Sequence, residues 1–136
     1  MKAYKFFIII GLSMLFLIAC AGETVLLGTG SLDIKVTIGP LCSTEPCNRP
    51  VEDIRKVYEA YTFTVTDTKL NKQVLEKQLT YNGTNGVLKS TSLTAGEYEL
   101  SIKPETIFTK KSFPQTFKIE KDKTTSLEIN IDTGLR

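Results

Sequence analysis

Apolar and polar residues alternate strictly along the segment that follows the first thirty residues. Leu32, Ile34, Val36 and Ile38 each stand between polar residues. In an extended chain, successive side chains point to opposite faces, so these four lie together on one face and the polar residues lie on the other. The pattern predicts a β-strand over 31–38 with one buried and one hydrated face.

The same period of two recurs six more times before the end of the chain. Groups rich in Gly, Asn and Asp, which are typical of turns, separate most of these segments. Their apolar members are Tyr61, Phe63 and Val65; Leu75, Leu79 and Tyr81; Val87 and Leu88; Tyr98, Leu100 and Ile102; Phe117 and Ile119; and Leu127, Ile129 and Ile131. Seven short strands with one apolar face each need a second sheet to cover that face. The pattern therefore predicts an all-β fold, a seven-stranded antiparallel β-sandwich.

One segment between the first two strands has helical periodicity. Pro50 suits the first position of a helix, and Ile54, Val57 and Tyr58 lie on one face at i, i+3 and i+4. We predict a two-turn helix at about 50–59. Such a helix is expected to cap an open end of the sandwich rather than to recognise a partner.

The N-terminal segment is typical of an exported protein. Two lysines precede a largely apolar stretch over 6–18, which is shorter than the roughly 20 residues that a membrane-spanning helix needs. It ends in Leu17-Ile18-Ala19-Cys20, which resembles the bacterial lipobox, where the cysteine receives a lipid before cleavage. We predict a lipoprotein signal peptide over 1–19 and lipidation of Cys20. The alternatives are ordinary cleavage near Ala21 and an uncleaved anchor.

A lipidated Cys20 would attach the chain to a membrane. Two or three acyl chains, such as palmitate, hold a protein firmly, whereas one chain is a marginal anchor. The glycines of 20–30 predict a flexible tether, followed by the sandwich domain over 31–136. Val25-Leu26-Leu27 forms either a short edge strand or a contact with the membrane. Ala21, where an aspartate would retain some lipoproteins in the inner membrane, favours the outer membrane if the organism has one.

The remaining two cysteines are Cys42 and Cys47. In an oxidising compartment they are expected to form a disulfide that shapes the loop around them. The alternative is a metal or redox site. Two thiols without histidine make a poor zinc site, and reactive pairs usually have the tighter Cys-x-x-Cys spacing.

Composition narrows the functional classes. The 136 residues suffice for one domain and contain neither histidine nor tryptophan, which removes the commonest general base and most zinc sites. Without 1–19, 15 basic residues face 15 acidic ones, and no basic stripe suited to nucleic acid appears. We expect no nucleic-acid partner, no cofactor and no enzymatic activity.

Leu93-Thr94-Ala95-Gly96-Glu97-Tyr98-Glu99-Leu100 resembles a segment of carboxypeptidase-regulatory-like domains, which are transthyretin-like (prealbumin-like) sandwiches. Gly96 would permit the tight turn, and the Tyr98 hydroxyl would bond back to it, as in a tyrosine corner. The resemblance covers roughly 31–136. It implies an extracytoplasmic accessory or structural module of prealbumin-like or Ig-like fold. The hydroxyisourate hydrolases of this superfamily use histidines, which this chain lacks.

The candidate partner-binding site is the loop over 104–114, which is longer than a typical hairpin connection. It places apolar residues beside cations, as protein interfaces often do, on a loop held by a rigid scaffold. Its candidate residues are Ile107, Phe108, Lys110, Lys111 and Phe113. The alternative is that this segment crosses between the sheets and buries its aromatic rings.

Other candidate chemistry is weaker. Glu97 and Glu99 lie on one face of a strand, which could indicate paired catalytic carboxylates, but a solvated strand face is favoured. Asp67, Asn71 and Asp132 could contribute to a calcium site, but they form no calcium-binding loop motif.

The sequence therefore predicts an exported, lipid-anchored cell-envelope protein with a non-catalytic module that binds another envelope protein or polymer. The alternative function is a carbohydrate- or peptide-binding accessory module.

Overall fold

The computed structural model describes residues 28–44 and 46–135. The predicted signal peptide, the lipidated Cys20 and Val25-Leu26-Leu27 lie outside the described residues. Within them the chain forms eight strands and one helix in this order: β1 Thr29–Gly39, α1 Val51–Glu59, β2 Thr62–Asp67, β3 Lys72–Gln78, β4 Thr80–Tyr81, β5 Gly86–Thr94, β6 Gly96–Lys103, β7 Gln115–Ile119 and β8 Thr124–Asp132.

The strands form two sheets of four, with orders β4-β5-β1-β8 and β3-β2-β6-β7. The predicted all-β sandwich with one short helix is confirmed, with helix α1 within the predicted range. The pairing is mostly antiparallel, as predicted. The exception is β1 with β8, which run parallel from Ser31 opposite Thr124 to Gly39 opposite Asp132.

The number of strands is eight rather than the predicted seven. The alternating segment that contains Leu75, Leu79 and Tyr81 does not form one strand: β3 belongs to one sheet and β4 to the other. The chain changes sheet at Leu79, whose side chain is 1% exposed. Two further bounds differ, because β1 begins at Thr29, inside the segment assigned to the tether, and β5 extends to Thr94.

The core lies between the sheets and is built from the apolar members of the alternating segments. Leu32, Ile34, Val36 and Ile38 are at most 3% exposed, as their spacing predicts. Helix α1 closes one end: the Tyr58 ring stacks on Tyr81 with centroids 4.9 Å apart, and its hydroxyl accepts a hydrogen bond from the Ile38 N–H. The predicted capping role of the helix agrees with these contacts.

The two ends of the sandwich differ. Gly28 lies at one of them, together with the turns at 67–71 and 120–123. We call it the anchor end, because it is the end that follows the predicted attachment site in the chain. There the Ala95 N–H donates to the Gly28 carbonyl, and the Asp122 N–H donates to the Thr29 carbonyl. The opposite end, which we call the loop end, carries the segments 40–44, 46–50, 82–85, 104–114 and 133–135.

Candidate functional site

The loop over 104–114 connects β6 and β7, which are neighbours in one sheet. The alternative in which this loop crosses between the sheets is therefore wrong. The loop also buries its two rings unequally. Phe113 is half-buried, and its ring meets the ring of the core residue Phe63 edge to face with centroids 5.8 Å apart. The Phe108 side chain is 38% exposed.

A short helical turn organises this loop. The Lys110 N–H donates to the Thr106 carbonyl over 2.9 Å, and the Thr106 N–H donates to Oγ1 of Thr109 over 2.7 Å. Thr109 is 1% exposed. Its hydroxyl donates to the Thr106 carbonyl over 3.1 Å, so it is satisfied inside the loop. These bonds close the turn within the loop that joins β6 to β7.

The turn has two faces. Ile107, 73% exposed, projects into solvent. The Phe108 ring lies so close to Gly134 that a methyl group at Gly134 would overlap it. The other face, which includes Glu105, Lys110 and Phe113, lines a cavity. The structure thus divides the predicted partner residues: Lys110 and Phe113 line the cavity, while Ile107, Phe108 and Lys111 do not.

The cavity exists because β7 is shorter than β6. Their pairing ends with Leu100 opposite Gln115, yet β6 continues to Lys103. The loop swings away at this point and leaves a cavity of about 370 Å³ between itself and β6. On the β6 side the wall includes Glu99 and Ser101, and on the loop side it includes Glu105, Lys110, Phe113 and Pro114.

Glu99 and Glu97 have different surroundings although they share the outer face of β6. Glu99 is half-buried, lies opposite Thr66 and Thr116, and lines the cavity. Glu97 lies opposite Lys118, nearer the anchor end, and does not line it. The structure therefore does not bring these two carboxylates together in this cavity.

About half of the described charged residues outside the cavity form ion pairs. In the described part of the chain seven ion pairs join surface residues. The pKa of Glu76 is lowered first by a hydrogen bond from the Gln73 amide, and then by the hydrogen bond and the positive charge of Lys103. At the anchor end, a hydrogen bond from Lys123 lowers the pKa of Glu120, and the same contact raises the pKa of Lys123.

Charges inside the cavity are not paired in this way. Among the residues that the structure describes, Glu99, Glu105 and Lys110 form no ion pair. The sequence did not predict that Glu99 and Glu105 line a cavity, because the early end of β7 places them on its two sides and no sequence pattern marks that end.

The disulfide loop adjoins the turn through the C-terminal residues. Cys42 and Cys47 form the predicted disulfide, with Cα atoms 5.5 Å apart. The Thr133 N–H donates to the Gly39 carbonyl over 3.1 Å, and the Thr133 hydroxyl donates to the Pro40 carbonyl. Gly134 then reaches the Phe108 ring. The two segments that the sequence singled out, remote along the chain, thus share one end of the sandwich.

The described residues offer neither a metal-binding cluster nor a membrane-spanning helix. Residues 28–44 and 46–135 contain no group of three or more His, Cys, Asp or Glu placed to hold a metal ion. No helix within these residues is both long and apolar enough to cross a membrane.

Comparison with known proteins identifies the architecture. No protein-family profile matches the chain, and no curated protein matches it. The crystal structure of GBS52, the minor pilin of the Gram-positive pathogen Streptococcus agalactiae, is similar over 78% of this chain, with a TM-score of 0.51 and 14% identity. The likeness is one of fold.

This chain corresponds to only part of GBS52 and of a second similar structure. The GBS52 match covers 45% of that pilin, so this chain spans less than half of its length. A leucine-rich repeat protein from Bacteroides thetaiotaomicron is similar over 81% of this chain and 14% of its own, with 13% identity and a TM-score of 0.41. That second likeness is too weak to carry an argument.

Proposed function

We propose that this chain is an exported lipoprotein, anchored through Cys20, whose non-catalytic sandwich binds another cell-envelope protein or polymer at its loop end. The observation that supports this function is the placement of the two ends. Strand β1 runs for 11 residues from Thr29 to Gly39, which spans roughly 35 Å at 3.3 Å per residue. A chain attached before Gly28 would therefore present the loop end away from the membrane.

The loop end has the surface features of a protein interface. Ile107, Phe108 and Leu135 are large apolar side chains with at least 38% of their surface exposed, and the contact between Phe108 and Gly134 brings the loop and the C-terminal residues together. Lys111 adds a cation beside them. Apolar anchors with a charged rim are typical of interfaces between proteins.

The proposal includes a carboxypeptidase-regulatory-like family for the domain and a location in the cell envelope. The Tyr98 hydroxyl donates to the Thr94 carbonyl, as expected from the resemblance to carboxypeptidase-regulatory-like domains, which supports an accessory module of that kind. Gly96 does not act as expected, because it begins strand β6 without a positive φ and has room for a side chain. A minor pilin with a similar fold is compatible with a structural role outside the cytoplasm. Because one fold hosts many functions, this likeness supports the proposal only together with the loop-end surface. The outer membrane remains the favoured site where the organism has one.

Lipid attachment can be tested by metabolic labelling. Cells that produce the full chain are grown with a palmitate analogue, and the label on the protein is measured. We expect labelled wild type and an unlabelled, unprocessed Cys20→Ala variant. Cys42→Ala serves as the matched control and should retain the label. Processing of the wild type near Ala21 without label would favour ordinary signal cleavage and contradict the anchor.

Partner binding can be tested by photo-crosslinking in intact cells. A photoreactive phenylalanine replaces Phe108 at the loop end or, as a control, Asp122 at the anchor end. We expect one dominant envelope protein or polymer to be captured from position 108 and not from position 122. Equal capture from both positions, or none from position 108, would contradict a loop-end interface.

The alternative function, a carbohydrate- or peptide-binding accessory module, is favoured by a different observation. The cavity between the loop and β6 is large enough for a small ligand, since such sites measure about 300–1,000 Å³, and polar and apolar residues both line it.

A further inference from the structure

The cavity beside β6 combines both signs of charge with an apolar wall. Glu99 and Glu105 supply carboxylates, and Lys110 supplies an ammonium group. Phe113 and Pro114 form an apolar surface in the same cavity. A ligand that matches this wall carries a cation, an anion and an apolar group, and it is small enough for a cavity of about 370 Å³.

The charges of the cavity are available to such a ligand. Some charges on the outer strand faces neutralise one another, as Lys35 does with Glu128 and Lys89 does with Asp33. In the described part of the chain the three cavity charges have no such partner. Hydrogen bonds between ionised groups are roughly twice as strong as neutral ones, so a ligand with both charges would gain more here than a neutral ligand.

A carbohydrate fits the cavity less well. Sugar sites commonly present an exposed aromatic face, but the Phe113 ring is half-buried and packs edge to face on Phe63. The chain contains no tryptophan. A neutral sugar would also leave the cavity charges without counter-charges. Between the two ligand classes of the alternative function, the structure favours the peptide.

We propose that this cavity binds the free ends of a very short peptide, of the size of a dipeptide. Its ammonium group binds at Glu99 and Glu105, its carboxylate binds at Lys110, and its small apolar side chains lie against Phe113. The proposal rests on the accessory-module alternative above, and it names the ligand class of that module.

The test is a titration of the full chain, purified in detergent micelles, with alanyl-alanine. Amide chemical shifts and calorimetry are followed together. We expect saturable binding with a Kd of about 1 mM or tighter, with shifts confined to β6 and the loop over 104–114. Acetylation of the peptide's amino end or amidation of its carboxyl end should each raise the Kd at least tenfold.

Matched variants identify the cavity as the site. Glu99→Gln and Lys110→Gln should each raise the Kd at least tenfold. Glu97→Gln, on the same strand face, and Lys111→Gln, on the same loop, should leave it unchanged. Unfolding curves verify that all four variants are folded, and Glu105→Gln replaces Glu99→Gln if that variant is not.

Two outcomes would overturn the proposal. One is the absence of saturable binding, or binding that Glu99→Gln and Lys110→Gln leave unchanged. The other is binding of the disaccharide chitobiose at the same amides without binding of alanyl-alanine. Because Phe108 does not line the cavity, capture from position 108 together with a failed titration refutes only the cavity proposal, and the converse result refutes only the loop-end interface.

Discussion

At the scale of single residues, Tyr98 is the side chain whose environment was most predictable. Its ring is 2% exposed and stacks on Phe117 with centroids 5.7 Å apart, and its hydroxyl donates to the Thr94 carbonyl over 2.7 Å. The predicted tyrosine corner is therefore confirmed. Burial, with a smaller contribution from the charge of Asp67, raises the pKa of Tyr98 above 10.0.

This pKa shift predicts a loss of stability at high pH. Above pH 10 the unfolded chain releases the phenol proton while the folded protein retains it, so the free energy of unfolding decreases as the pH rises toward the folded pKa. Tyr98→Phe should cost about 1 kcal/mol at neutral pH through the lost hydrogen bond and should show a shallower decrease above pH 10. Urea unfolding at pH 7 to 11 measures both effects.

The control for this prediction is Tyr81→Phe, which also removes a hydrogen bond to a backbone carbonyl, that of Gly83, but at a half-exposed side chain. It should cost less at pH 7. A Tyr98→Phe variant with the same alkaline slope as wild type would show that Tyr98 titrates alike in both states.

Thr64 is a residue whose burial the sequence did not predict. It lies on the outer face of β2, opposite Glu76 and Ser101, where a polar residue is expected to meet water. It is nevertheless 6% exposed, and the ion pair from Lys103 on β6 to Glu76 on β3 spans β2 at this level. Within residues 28–44 and 46–135 its hydroxyl has no hydrogen-bond partner.

We expect Thr64→Val to stabilise the protein by about 1 kcal/mol, because it removes an unsatisfied buried hydroxyl and keeps the side-chain shape. Thr66 lies two residues away on the same face and is half-exposed. Thr66→Val should therefore change stability little. Thermal and urea unfolding measure the difference. Destabilisation by Thr64→Val would mean that a bound water satisfies the hydroxyl.

At the scale of elements, the boundary between β3 and β4 shows a limit of periodicity. Leu75, Leu79 and Tyr81 keep the period of two across the change of sheet. Both sheets face one core, so the alternation of inward and outward side chains continues when the chain passes from one sheet to the other. Only the hydrogen-bond partners differ, and the hydrophobic pattern does not record them.

Gly86 makes this crossover possible. It is buried at the start of β5, and a methyl group there would overlap the side chains of Leu79 and Tyr58. The crossover, the capping helix and β5 therefore meet at a residue without a side chain.

Gly86→Ala should destabilise the protein by about 2 kcal/mol, as overpacking of a well-filled core does. The matched control is Gly39→Ala, since the nearest atom to a methyl group at Gly39 is the Leu41 nitrogen, 3.9 Å away. Urea unfolding of the two variants measures the difference. Equal stabilities would indicate that Leu79 and Tyr58 move aside without loss.

At the scale of the whole molecule, the parallel pairing of β1 with β8 sets the arrangement of the ends. Both strands begin at the anchor end and finish at the loop end, with Gly39 opposite Asp132. The C-terminal residues therefore meet the disulfide loop and the loop over 104–114 rather than the first described residue, Gly28. This arrangement gives the proposed interface its distance from the proposed anchor.

That distance can be measured in liposomes that carry the lipidated chain. A fluorophore is attached at Ile107→Cys or at Asp122→Cys, and a lipid-bound quencher is added to the bilayer. Quenching should be severalfold stronger at position 122 than at position 107, because position 107 lies roughly 35 Å farther along the sandwich. Equal quenching would show that the domain lies flat on the membrane.

The sequence by itself determined the class of the fold, the apolar core, the disulfide pair, the tyrosine corner and the helix. Each of these depends on local spacing or on a short motif, because the pleat alternates every two residues and the helix repeats every 3.6. The export signal and Cys20 are predictions of the same local kind. Tertiary structure alone decided the eighth strand, the parallel partner of β1, the shared loop end and the cavity. These depend on which strand forms hydrogen bonds with which and on where each pairing ends, and residues far apart in the chain fix those contacts together.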